Sequence, residues 1–195
     1  MALTQIKSTL LAPQAVGWVP LATATPIDGS SEDMNGTGGP FRNVFDATYH
    51  IYMVTIVDAV IVDDNKILYM TFYTGGDTEQ TSNYGYDTQG YEWDNSSRVS
   101  TNSTSAASMQ MASELGSGTG EGFGGIVYIF NPTSTSVYTT AQWRTTQYSR
   151  SPKLLVNNGA GVWVTGTAVT GVGFPVQSDG GFGAGTFTVY GLSKV

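Results

Sequence analysis

Thr48–Val57, TYHIYMVTIV, is the stretch on which the fold turns. Tyr49, Ile51, Met53, Thr55 and Val57 fall on one face, and His50, Tyr52, Val54 and Ile56 on the other. Alternation with a period of two marks a strand, and aromatic and β-branched residues suit a pleated surface. Both faces are mostly apolar, so this strand is expected at the centre of a sheet with both sides covered. Asp63-Asp64-Asn65 then turns the chain into KILYMTFYT (66–74), and the pair reads as a hairpin or meander.

Working outward, further strands are expected at 17–25, at IVYIF (126–130), at VYTTAQWRTTQYS (137–149) with a wet and a dry face, at VWVTGTAVTGVGF (162–174) and in GAGTFTVYGLSKV (183–195). SPKLLVNNGAG (151–161) reads as a turn with a short apolar run, and Ala106–Leu115 suits either a short helix or a strand. Polar turns rich in Gly, Asn and Ser separate them, and residues 26–40 form a loop of this kind. About eight strands without a long helical pattern argue an all-β chain, an antiparallel two-sheet β-sandwich of jelly-roll-like form. Its 195 residues fit one such domain over 17–195, preceded by a short N-terminal arm over 1–16. Glycine at 25 positions and aromatics at 12%, led by eleven tyrosines, agree with that class.

Composition removes several kinds of chemistry. With no cysteine there is no disulfide scaffold, thiolate metal site or thiol catalysis. His50 is the one histidine, so a multi-histidine metal centre is excluded, and on its strand it reads as a core or interface residue. Fifteen acidic against eight basic residues give a net charge of −7, and the basic residues are scattered, which argues against nucleic acid. The apolar run from His50 to Val62 is broken by Thr55 and Asp58 and is too short for a membrane span. No cationic-then-apolar leader opens the chain, so export through a signal peptide is not expected.

Four patterns could carry function. Gly120–Gly125 matches GxGxxG, but it leads into a strand rather than a helix, so no nucleotide site is expected. Asp63 and Asp64, with Asn65 and help from Asp58, could offer oxygen to Ca²⁺, although a turn supplies fewer ligands than that ion takes; a solvated turn is the simpler reading. Glu92 and Asp94 flank Trp93 on one side of an extended segment, too close together to oppose each other across a sugar. The sequons at Asn35, Asn95 and Asn102 are expected of an Asn/Ser/Thr-rich chain. No catalytic, cofactor or metal set results.

The contact candidates lie in two segments. Residues 75–104 read as the longest polar connection, with Tyr84, Tyr86, Tyr91 and Trp93 set among Asn, Gln and Asp, and this region is expected to face outward and carry recognition. Trp93 has a second reading, as an anchor tucked beneath the end of the sandwich. Leu3, Ile6, Leu10 and Leu11 are the apolar handles of the arm, spaced for a turn or two of helix and suited to docking.

LTQIKSTLLAPQAV (3–16) resembles the N-terminal signature of phage fibre-type proteins. The series Trp18-x-Pro20-Leu21, then Phe45, Tyr49 and Tyr52, then Gly75-Gly76, the strand Gly125–Asn131 and the closing Gly185–Leu192 resembles a β-domain of tailed-bacteriophage virion proteins. The resemblance implies a non-enzymatic virion structural protein, fibre- or tail-associated, docking by its arm and contributing to host attachment. A capsid decoration or head-fibre protein is the neighbouring alternative, and a lectin-like carbohydrate-binding module is the alternative of a different class. Expected partners are other virion proteins, further copies of itself with a trimer favoured, and a host-surface glycan or protein. The expected location is the extracellular particle, assembled in the host cytoplasm.

Overall fold

In a computed structural model the chain is described over residues 17–26, 41–75, 77–93, 98–149 and 153–192. Among the described residues twelve strands follow one another: β1 (Trp18–Ala24), β2 (Ile51–Ile61), β3 (Lys66–Thr74), β4 (Thr78–Glu79), β5 (Tyr84–Glu92), β6 (Arg98–Ala106), β7 (Met109–Leu115), β8 (Gly122–Phe130), β9 (Thr139–Ser149), β10 (Lys153–Trp163), β11 (Gly171–Gly173) and β12 (Phe182–Leu192). They form two antiparallel sheets, and the chain is all-β. The larger sheet has eight strands in the order β1-β12-β2-β8-β9-β10-β5-β6. The smaller is organised around β3, which pairs with β11, β4 and β7. Residues 1–16, and with them Leu3, Ile6, Leu10 and Leu11, lie outside the described residues, as does Asp94.

Strand period explains the layers. In β9, Thr139, Ala141, Trp143, Thr145, Gln147 and Ser149 are buried while the residues between them are exposed. The core lies between the sheets. Tyr52, Val54, Ile56, Val127, Ile129, Phe187 and Val189 face it from the large sheet, and Leu68, Met70, Phe72, Met109 and Met111 from the small one. Toward the β9–β10 end this interface turns polar, and Asn157, Gln147 and Thr88 are paired in the manner buried polar groups require. Asn157 Nδ2 donates to Thr145 Oγ1 at 3.2 Å and to Gln147 Oε1 at 3.4 Å. The Gln147 amide donates to the Ser113 carbonyl, and Thr88 Oγ1 to the Gln110 carbonyl, which ties β7 onto the large sheet.

Several sequence expectations need correction. Strands β2 and β3 are not a hairpin: β2 sits between β12 and β8, and β3 crosses to the other sheet. Local backbone conformation accommodates the crossing. Asp58 (φ 50°) lies in a register shift of β2 against β8, and Asn65 takes a left-handed φ of 59° in the turn. The Asn65 N–H then donates to the Leu115 carbonyl at 2.8 Å, which engages β7 instead of β2. Strand β2 is central, but among the described residues nothing fully covers its outer face: Val57 is 51% exposed. The region 75–104 is not one long connection, because β4, β5 and most of β6 occupy it. Nor is 151–161 a turn, since β10 runs straight through Asn157-Asn158-Gly159-Ala160-Gly161. Ala106–Leu115 resolves as strand, with β7 covering most of it.

Candidate functional site

The antiparallel registers put the outward side chains of the large sheet in rows. One row runs Met53, Tyr128, Gln142, Ala160, Asp87 and Asn102 across β2, β8, β9, β10, β5 and β6. The next runs Thr55, Ile126, Arg144, Asn158 and Gln89. Beyond it, Thr146 pairs with Val156 and Val156 with Tyr91, and further on Tyr148 pairs with Leu154. The Trp93 N–H donates to the Leu154 carbonyl at 3.2 Å, so Trp93 continues that last row.

This face is divided by chemistry. Around β1, β2 and β8 it is apolar, with Trp18, Val57 and Ile126 exposed, and the Trp18 ring 6.0 Å from that of Tyr128. Around β9, β10 and β5 it is amide-rich and edged by rings: Tyr91 is 46%, Tyr148 42% and Trp93 67% exposed. Shallow hollows open where side chains are small. One of about 530 Å³ lies over Gly159 and Ala160, walled by Asp87, Gln89, Tyr91, Gln142 and Asn158. Another, of about 510 Å³, is bounded by Val57, Gly122, Gly124, Thr146, Tyr148 and Leu154. Gly159 is required by the layer beneath: a Cβ there would stand 2.4 Å from Trp143 Cε2.

The four tyrosine and tryptophan candidates separate. Tyr91 and Trp93 reach the outer face, and the reading of Trp93 as a tucked-in anchor does not hold. Tyr84 is fully buried and cannot meet a partner in this fold. Its hydroxyl accepts from the Phe72 N–H at 2.7 Å and donates to the Gln80 carbonyl at 3.1 Å, and burial holds its pKa well above that of a free phenol. Tyr86 is half-buried against the core. Parity decides this: 84 and 86 fall on one side of β5, and 91 with 93 on the other.

The remaining candidates are accounted for by their neighbours. Glu92 turns inward and pairs with Lys153 at 3.0 Å, so it does not share a face with Trp93. Asp64 Oδ1 accepts from the Ser117 N–H at 2.7 Å and the Ser117 hydroxyl at 3.0 Å, while Asp63 lies 3.7 Å from Lys66. Among the described residues there is no group of three or more His, Asp or Glu arranged to hold a metal ion. Gly122, Gly124 and Gly125 of the GxGxxG run are inside β8. His50 is exposed at the entrance to β2 rather than within the core, and its carbonyl accepts from the Asn131 N–H at 2.8 Å.

Residues that the sequence did not single out complete the face: Tyr148, Leu154, Gln89, Gln142 and Asn158. The wet-and-dry alternation of 137–149 marks Gln142 and Tyr148 as outward. Nothing local says that β10 and β5 lie beside them. Among known proteins, no family model, no curated protein and no solved structure matches this chain.

Proposed function

We infer that the chain is a non-enzymatic structural component of a bacteriophage particle, a fibre- or tail-associated subunit that contributes to host attachment. The phage setting rests on the sequence resemblance described above. The structural observation that supports a contact role is the outer face of the eight-stranded sheet, a broad open surface with one apolar half and one amide-rich, aromatic half. In this reading the apolar half around Trp18, Val57 and Ile126 packs against further copies, in a trimer, because exposed apolar patches of this kind mark contact surfaces. Residues 1–16 then join the oligomer to other virion proteins. A capsid decoration or head-fibre position uses the same surfaces. The ring-edged half favours a second, lectin-like reading.

The test is immunogold labelling of purified particles with antibody to this protein, paired with light scattering of the isolated chain. Labelled particles and a mass of three protomers are expected. Unlabelled particles refute the virion assignment, and a monomer at every concentration refutes the trimer.

A further inference from the structure

We propose that the β9–β10–β5 half of the outer face is a binding site for a neutral oligosaccharide. This deepens the host-attachment reading by naming the ligand class, and it is tested on the isolated protein, so its failure is separable from failure of the virion assignment.

Three features of the surface carry the proposal. The first is chemical pairing. Gln89, Gln142 and Asn158 present amides from three neighbouring strands, and each amide both donates and accepts, as a ring of sugar hydroxyls requires. Asp87 adds an acceptor and Arg144 donors in the same two rows. The second is the aromatic border. Tyr91, Tyr148 and Trp93 offer rigid rings with a polar tip, able to stack on the flat C–H face of a pyranose at low entropy cost. The third is shape. The hollow over Gly159 and Ala160, of about 530 Å³, lies within the size range of small-ligand sites.

Spacing agrees with this occupant. Neighbouring strands lie about 4.8 Å apart, so Tyr148 on β9 and Trp93 past β5 have backbones separated by about 10 Å, close to the length of two sugar rings. Charge selects among glycans. A chain carrying −7 repels polyanions, so an uncharged glycan is the fitting partner rather than a sulfated or uronate-rich one.

The probes are maltohexaose, cellohexaose and chitohexaose, with a heparin hexasaccharide as the anionic comparison, each titrated into the full chain by calorimetry. Binding of at least one neutral probe below about 10 mM is expected. Two variants locate it. The pair Tyr91→Ala and Trp93→Ala removes the border, and Ala160→Leu fills the hollow while leaving every polar group in place. Each should weaken binding by about tenfold or more, with an unchanged melting temperature. Val62→Ala, exposed just past the end of β2, should leave it unaltered. No neutral probe bound, binding confined to heparin, or binding unaffected by both face variants overturns the proposal. If the double variant fails to fold, Ala160→Leu alone decides.

Discussion

Removing one oxygen from the centre of the fold, by Tyr84→Phe, tests whether this residue is an internal strut rather than a contact. The ring keeps its volume, so the apolar term is nearly unchanged. What is lost is a hydroxyl that accepts from the Phe72 N–H at 2.7 Å and donates to the Gln80 carbonyl at 3.1 Å, next to the Gln80 N–H that donates to the Phe72 carbonyl at 2.9 Å. Phenylalanine leaves the Phe72 N–H without this acceptor in a place where Tyr84 is fully buried. An unsatisfied buried donor costs about 1–3 kcal/mol, and the loss of the second bond places this substitution in the upper part of that range, at about 2–3 kcal/mol. In a chain of this size that lowers the melting temperature by roughly 4–12 °C. Urea unfolding should show the midpoint falling with m unchanged, because the surface exposed on unfolding is the same. The control is Tyr148→Phe, on the open face, which should stay within about 0.5 kcal/mol. Tyr84→Phe as stable as the parent chain would refute the bracing role.

Alkaline pH and one glycine give two further tests. Tyr52 donates to the Asp46 carbonyl at 2.8 Å, and burial pushes its pKa, like that of Tyr73, from 10.0 up to about 12. Raised folded values mean that the neutral phenols contribute stability in full below about pH 10 and lose it as pH climbs through about 12. Urea midpoints measured across that window should fall, and fall less steeply in Tyr73→Phe; equal slopes would count against the burial account. Gly159→Ala places a Cβ against the buried Trp143 ring and should cost about 1–3 kcal/mol in urea unfolding. Gly183→Ala, whose Cβ meets nothing nearer than 3.7 Å, should change little, and equal stabilities would refute the close approach.

Composition and period two determined that this chain is all-β, where β2 and β9 run, and which side chains of β9 are wet, because alternation is a local property of an extended backbone. The same rule separates Tyr84 and Tyr86 from Tyr91 and Trp93 once YGYDTQGYEW is read as strand. Its polarity hid this: the stretch resembles a loop because one face of β5 meets solvent and its inward face holds Thr88 and Glu92, satisfied by Gln110 and Lys153 from far along the chain. Partners for such groups are long-range, and no window of sequence contains them. Tertiary structure alone decided that β3 leaves β2 for the other sheet, since a turn fixes direction but not which strand offers the better hydrogen-bonded edge. It alone set β9, β10 and β5 side by side. The outer face therefore exists only in the folded chain, where residues as far apart as Gln89 and Asn158 stand opposite each other because their backbones pair.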